Sequence, residues 1–344
     1  MRAVVKTATG PGALELQEVD RPVPDRGQVL VAVRTAALCG TDVHIARGSM
    51  PVRPPLILGH ELAGIVAEVG ADVIGVHVGQ RVTTETDASF CGVCAFCLAG
   101  DQHLCPSRTA IGTSSPGGLA DFVAIPASGV HPLPDGVDFL AGALTEPLAV
   151  AVRAVVERGA IETGEEVVVI GPGTIGLLVA QVAVSRSATV TAVGLARHEA
   201  RFRLARELGI PRTAALDVAA SLDEIAGGRD GLGVDVVIEC SGAPDAVAAG
   251  LRLLRKGGRM ILVAFTPGRT VPMDLDLVVQ RELAVVASRG KRSTCFRIAL
   301  DLLGRGRVRT SPLVSHRFPI DAYAAAFETA EQSGTKVVVE VGGG

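Results

Sequence analysis

No apolar run in this 344-residue chain reaches the roughly 20 residues that a membrane-spanning helix requires, so no span is expected. Basic clusters are missing as well. Lys and Arg number 33 against 36 Asp and Glu, the formal net charge is −3, and no basic stretch stands out, which speaks against nucleic acid or an anionic membrane as a partner. Residues 1–5 carry one Arg and run straight into strand-like sequence, without the apolar core and cleavage site of a signal peptide, so a cytoplasmic protein is expected. Trp is absent and Tyr occurs once, whereas Gly occurs 41 times, a composition suited to tight turns and close backbone approaches. There is no internal repeat and no low-complexity linker.

What is present begins with size. A chain of 344 residues is long for one hydrophobic core and predicts two domains, and 48% apolar with 20% charged residues predicts a globular protein. Up to about residue 145 the sequence reads as short β segments (28–35, 62–69, 81–86) broken by turn signals such as Gly10-Pro11-Gly12 and Gly117-Gly118. The character then changes. A helical stretch is expected over 148–158, followed by strands at 166–170, 189–193, 234–239 and 259–264 and helices at 173–184, 199–208 and 245–254. Strands that are continuously apolar and alternate with helices imply a parallel sheet covered on both faces, an α/β architecture. A further strand fits 283–288, and the more irregular remainder ends in strand-like sequence over 336–341.

The run Val167-Val168-Val169-Ile170-Gly171-Pro172-Gly173-Thr174-Ile175-Gly176 is a buried strand that passes through Gly-x-Gly-x-x-Gly into a helix. Gly171 permits the tight turn, Gly173 lets the backbone approach a pyrophosphate, and Gly176 lets the helix pack closely on the strand. Pro172, Thr174 and Ile175 complete this loop, and the anion is favoured by the free N–H groups of the helix start. Dinucleotide binding is the expectation. The second strand ends Val193-Gly194-Leu195-Ala196-Arg197-His198 without the carboxylate that would bind the ribose 2′-OH of NAD. Arg197 is therefore either a partner for the 2′-phosphate of NADP or a solvated residue at a helix start.

Cysteines are seven, and four of them, Cys91, Cys94, Cys97 and Cys105, fall within fifteen residues. In a reducing compartment such a cluster binds metal rather than forming disulfides. Four thiolates at this spacing can close around one Zn2+ and leave no open position, which makes the site structural. A nucleic-acid-binding zinc ribbon is the competing interpretation, but ribbons carry two well-separated Cys pairs and this lobe lacks basic residues.

Three further segments offer ligands for a second, open site: Cys39-Gly40-Thr41-Asp42-Val43-His44, Gly59-His60-Glu61 and Thr145-Glu146-Pro147. Catalytic zinc takes three protein ligands and keeps one position free, and Cys39, His60 and Glu61 can supply the three, with Glu146 close enough to exchange at the fourth.

With these motifs in order, the sequence resembles the zinc-dependent medium-chain dehydrogenase/reductase (alcohol dehydrogenase) family over essentially its whole length. Gly59-His60-Glu61-x2-Gly64-x5-Gly70-x2-Val73 is similar to that family's zinc signature, and Glu61 beside His60 with Glu146-Pro147 is most similar to its polyol (sorbitol) and threonine dehydrogenase branch. The resemblance implies a GroES-like β-rich catalytic domain (1–147, completed by 292–344) and an inserted Rossmann nucleotide domain (148–291). It implies catalytic zinc on Cys39, His60 and Glu61, with Glu146 as alternate ligand or aid to proton transfer, and structural zinc on Cys91, Cys94, Cys97 and Cys105, two Zn2+ per chain. Thr41 would hydrogen-bond the substrate hydroxyl and His44 would pass its proton towards solvent.

The expected activity is hydride transfer between NAD or NADP and a small secondary alcohol or its ketone: a polyol, sugar alcohol or cyclitol, or alternatively the amino alcohol L-threonine. A non-catalytic nucleotide-binding protein on the same fold is the alternative of another class. A homodimer or homotetramer is implied. Ser288-Arg289-Gly290-Lys291-Arg292-Ser293 departs from the polyol enzymes, being basic without an aromatic, and leaves Lys291 and Arg292 either as contacts for a polyhydroxylated or anionic substrate or as surface charges. Cys240 reads as a small buried residue. No partner is evident in the sequence for Cys295, His131, His198 or His316, and His103 lies inside a lobe already filled by thiolates.

Overall fold

A computed structural model describes residues 1–217, 224–225, 231–266, 270–333 and 336–342. The chain divides into two compact units: Met1–Pro147 with Lys291–Gly304 and Leu313–Gly344, and Leu148–Gly290 with Arg305–Pro312. Among the described residues no helix is long and apolar enough to cross a membrane.

The first unit is built around the strand Gln28–Ala37. It pairs antiparallel with Glu61–Val69, with Phe122–Pro126 and with Lys336–Glu340, so its backbone is satisfied on both sides. Being central, it is buried at every residue except Gln28, Ala32 and Arg34, which remain partly accessible. Arg81–Thr84, Val130–Pro132 and Val314–Pro319 extend this sheet, and Leu14–Glu18, Arg2–Lys6 and Leu56–Ile57 form a second one. Val29, Val31, Leu62, Val66, Leu119, Ile125, Val337 and Val339 meet between them as one aliphatic core. The Lys336–Glu340 strand brings the chain's end back beside Ala37, because its Val338 pairs with that residue.

The second unit holds six parallel strands in the order Arg212–Ala215, Thr189–Gly194, Glu166–Ile170, Val234–Glu239, Leu254–Leu262, Ala284–Ala287. This is the doubly wound Rossmann order, and the chain direction along the sheet reverses between Glu166–Ile170 and Val234–Glu239. Ligands of such sheets bind beyond the strand ends at that reversal. Gly171 stands there with φ +99°, and a Cβ on it would meet Ser241 at 2.8 Å. A Cβ on Gly176 would lie 1.9 Å from the Gly171 carbonyl oxygen, so the helix Thr174–Ser185 can sit on its strand only because this residue is Gly.

The elements follow the sequence expectation with local differences. The helix expected over 148–158 starts earlier, as Thr145–Val152, and continues as wider π turns over Arg153–Arg158. Pro147 is tolerated because it lies in the first turn, where its missing N–H had no intrahelical partner to lose. The strand expected over 259–264 spans Leu254–Leu262, and a register shift between Val234 and Val236 accommodates its Gly257-Gly258 pair. The return of the C-terminal segment to the first unit is interrupted at Arg305–Pro312. There the backbone N–H of Arg309 donates to Gln181 Oε1 (2.8 Å), Gln181 Nε2 donates back to the Arg309 carbonyl (3.2 Å), and both residues belong to the nucleotide unit. Lys291, expected at the end of the nucleotide domain, belongs to the first unit.

Candidate active site and metal centres

Strand register assembles the first cluster. Ala37 pairs with Glu61 across the Gln28–Ala37 and Glu61–Val69 strands, so Cys39, two residues beyond the end of one strand, arrives beside His60-Glu61 at the start of the other. The ligand atoms of Cys39, His60 and Glu61 lie within 4.8 Å of one another. Asp42 ties the two segments together. Its Oδ2 accepts from the Cys39 backbone N–H at the start of helix Gly40–Ala46 (2.9 Å), and its Oδ1 accepts from Gly59 N–H (3.1 Å) and stands 3.6 Å from His60 Nδ1. Asp42 thus sets a carboxylate charge beside the imidazole, the kind of group that orients metal-binding histidines.

Two lysines surround the cluster. Lys336 Nζ donates to both carboxylate oxygens of Glu61 (2.9 and 2.8 Å) and to the Leu38 carbonyl (3.0 Å), which uses all three of its donors. Lys291 Nζ donates to Glu146 Oε1 and to Thr86 Oγ1 (3.1 Å). Glu146 is buried but stands outside the group of three ligand atoms.

The charges decide what this pocket can hold. Asp42, Glu61 and Glu146 are buried carboxylates, and Cys39 as a metal ligand is a thiolate, four negative charges in all. Lys336 and Lys291 supply two positive charges, and a divalent cation supplies the missing two. A buried excess of negative charge is expensive, so the donor set fits Zn2+ on both ligand type and charge. Proton affinities report the same field. Burial opposes a charge on His60, yet Asp42 and Cys39 raise its proton affinity well above the ordinary value, and a field that favours a proton there also favours a cation. Burial pushes the Glu61 carboxyl up against the pull of Lys336. For Glu146 burial acts the same way, but Lys291 and His60 outweigh it and hold the carboxyl below the ordinary carboxylate range.

Thr41 lies two residues beyond Cys39 at the start of its helix, and His44 follows one turn later, exposed, with Nδ1 at 3.1 Å from Ser49 Oγ. Thr41 and His44 therefore follow Cys39 on one short helix, with the imidazole at the solvent side.

The second cluster is chemically uniform. Cys91 and Cys97 sulfurs are 3.9 Å apart, Cys94 and Cys97 3.5 Å, and Cys91 and Cys105 3.6 Å. A tetrahedron with Zn–S bonds of about 2.3 Å has edges of about 3.8 Å, so these spacings fit one Zn2+ with all four positions filled. The backbone N–H groups of Val93 and Cys94 lower the Cys91 thiol to about 6, whereas burial pushes the Cys97 thiol up to about 12. Short helix and turn segments, Ala95–Leu98 and Gln102–Leu104, carry the chain between ligands.

In the nucleotide unit Gly171, Pro172 and Gly173 bridge the Glu166–Ile170 strand and the Thr174–Ser185 helix, Thr174, Ile175 and Gly176 form its first turn, and Gly173 caps it. Arg197 lies in the turn Ala196–His198 after the second strand. Asp217, which no sequence motif marks, accepts from Ala196 N–H through Oδ1 (2.8 Å) at that same turn. Nor does one mark Glu239. It ends the Val234–Glu239 strand that flanks the reversal point and accepts from the N–H groups of Ser241 (2.6 Å) and Gly242 (2.9 Å).

Lys291 and Arg292 both face carboxylates, Lys291 largely buried and Arg292 partly exposed. Lys291 is spent on Glu146, and Arg292 makes a two-pronged pair with Asp101 of the cysteine lobe (2.7 and 2.6 Å). His131, for which no partner was expected, pairs with Glu85 (2.7 Å) and stacks on Phe296 (ring centroids 5.0 Å apart). Asp42 and Lys336 were missed. Asp42 lay in a noted motif without a role, and Lys336 is 275 residues from Glu61.

Fold and clusters together define an oxidoreductase of the zinc-binding alcohol dehydrogenase class. Residues 25–135 match the alcohol dehydrogenase GroES-like domain, and residues 174–305 match the zinc-binding dehydrogenase domain. The sorbitol dehydrogenase of Halalkalibacterium halodurans is 39% identical, over 98% of this chain and 98% of that protein. The D-arabitol-phosphate dehydrogenase of Enterococcus avium is 35% identical, over 99% and 97%. Among solved structures, a Sinorhizobium meliloti protein described as a zinc-binding dehydrogenase and bound to NADP is 34% identical, with a TM-score of 0.91 and 98% of each chain covered. The chain belongs to the zinc-dependent medium-chain dehydrogenase family, in its polyol and threonine dehydrogenase branch.

Proposed function

We propose that this protein oxidises a secondary hydroxyl of a neutral polyol, sugar alcohol or cyclitol with NADP+, giving the ketone, NADPH and one proton, and runs the reverse reduction. The observation that carries it is the Cys39, His60, Glu61 group, half-buried at Cys39 and buried at the other two, whose ligand types and charge balance fit one divalent cation, in a chain whose other unit carries the dinucleotide fold. Zn2+ at that group would lower the proton affinity of a substrate hydroxyl, and the nicotinamide would take the hydride.

The protein's own residues do the rest. Cys39, His60 and Glu61 hold the cation, and Asp42 fixes the imidazole. Thr41 accepts a hydrogen bond from the substrate hydroxyl and relays its proton by giving up its own, His44 passes a proton to solvent, and Glu146 offers a carboxylate to a neighbouring substrate hydroxyl. A second Zn2+ belongs to Cys91, Cys94, Cys97 and Cys105. A neutral substrate is favoured because two of the three cations of the 288–293 segment, Lys291 and Arg292, already face carboxylates, which leaves the exposed Arg289 as the one cation there that could meet a phosphate. NADP is preferred over NAD because Arg197 stands after the second strand, where a 2′-OH-binding carboxylate is absent from positions 193–198. A cytoplasmic homodimer or homotetramer completes the reading.

The test is nicotinamide absorbance with NAD+ and NADP+ against sorbitol, arabitol, inositol, butanediol and threonine, with and without a zinc chelator. Chelator-sensitive turnover of a polyol is expected. Turnover confined to threonine would move the chain to amino-alcohol oxidation. Silence across the panel with only one Zn2+ bound would favour a non-catalytic nucleotide-binding protein.

A further inference from the structure

Glu146 poses a physical problem. It is a buried carboxylate close enough to Glu61 and His60 for their charges to act on each other, yet it stands outside the group of three ligand atoms. A buried carboxylate seeks the nearest cation, and beside a three-ligand Zn2+ the nearest available position is the fourth one. A fourth protein ligand would turn an open centre into a closed one, like the cysteine lobe, and remove the position that substrate needs.

Lys291 supplies the alternative counter-charge. Its ammonium sits on Glu146 Oε1, the two side chains are 9% and 8% exposed, and a second donor goes to Thr86 Oγ1 at 3.1 Å. Thr86 is itself braced by Arg108 Nη2 (2.9 Å). The next residue, Arg292, grips both carboxylate oxygens of Asp101, which lies between Cys97 and Cys105 in the lobe. Two neighbouring cations thus tie one strap of chain to the lobe on one side and to Glu146 on the other.

We propose that Lys291 is a positioning residue that holds Glu146 off the Cys39, His60, Glu61 cation, and that the cysteine lobe anchors Lys291 through the Asp101 and Arg292 pair. The proposal rests on the zinc dehydrogenase reading and adds to it the reason the catalytic centre stays open. It also gives the lobe a task beyond local stability, since the lobe holds the strap from which Lys291 reaches the site.

The experiment measures release of Zn2+ from the holoenzyme to a chromogenic chelator, alongside steady-state kinetics. In Lys291→Met, Glu146 is freed to become a fourth ligand. Release from the catalytic centre is expected to slow about tenfold while kcat falls about 10–100-fold and KM changes little. Lys291→Arg should restore most of both, and adding Glu146→Gln to Lys291→Met should return release to at least the wild-type rate. Asp101→Asn should move both readouts in the same direction by about two- to threefold, because it loosens the strap without removing the ammonium. A residue that merely braces the fold gives the opposite sign. Faster or unchanged release in Lys291→Met, or in Lys291→Gln should the Met variant not fold, would overturn the proposal. A wild-type protein that holds its second Zn2+ but turns over no polyol leaves the release test decisive, so failure of the substrate assignment is distinguished from failure of this inference.

Discussion

The lobe of residues 91–105 and the Cys39, His60, Glu61 centre lie in the same unit and each groups side chains that can hold a metal ion, but they are built on opposite terms. In the lobe all donors are sulfur, they come from one short stretch of chain, and Cys91 is exposed. Their spacing leaves no open position. At the other centre the donors are mixed and come from two strand ends, and two lysines from distant segments balance the acids. Local spacing is enough to close a structural site. An open site needs a fold that brings in counter-charges, because each unused carboxylate is a competitor for the cation.

The sharpest way to break this comparison is to remove a ligand from each side. In His60→Ala, zinc content should fall by one per chain and turnover by a thousandfold or more, as expected when several kcal/mol of charge stabilisation is lost, with the melting temperature little changed. Metal analysis, assay and calorimetry on one preparation check all three. In Cys97→Ser the pattern should invert. The lobe zinc is lost and stability falls by about 3 kcal/mol, roughly 10 °C in Tm, while the remaining molecules keep turnover within about tenfold at 25 °C.

A finer test acts on what stands behind a ligand. Asp42→Asn keeps an acceptor for only one of the two N–H groups, of Cys39 and Gly59, that its separate oxygens accept, and removes the charge facing His60. Catalytic zinc should dissociate about 10–100-fold faster, read by chelator competition, with the lobe zinc unaffected. The smallest effect is expected in the other unit. Arg197→Ala should raise the KM for NADP+ about fivefold, which corresponds to about 1 kcal/mol, and leave that for NAD+ unchanged. Equal changes for both cofactors would return Arg197 to a solvated turn residue.

Much of this was legible in the sequence, for identifiable reasons. The cysteine lobe is a local spacing, and His60-Glu61 and Cys39 stand within short motifs, so their types and order suffice. The nucleotide fold was legible because buried parallel strands read as continuous apolar runs and because Gly171 and Gly176 answer steric demands within a few residues. The lysines were not legible. Lys336 reaches Glu61 through strand pairing across 275 residues, and Lys291 reaches Glu146 across 145, and no local pattern encodes either. Lys291 and Arg292 looked like substrate contacts or solvated charges because their carboxylate partners lie in segments far away in sequence. The grouping of Arg305–Pro312 with the nucleotide unit is illegible for the same reason, since its tie to Gln181 is a tertiary hydrogen bond.

The most direct test of the central claim is anomalous scattering at the zinc absorption edge from crystals of the purified protein. Two peaks per chain are predicted, one equidistant from the sulfurs of Cys91, Cys94, Cys97 and Cys105 and one among Cys39, His60 and Glu61, with the Glu146 carboxylate still on Lys291. A single peak in the lobe would contradict the account, and so would a second peak ligated by Glu146 while Lys291 is in place.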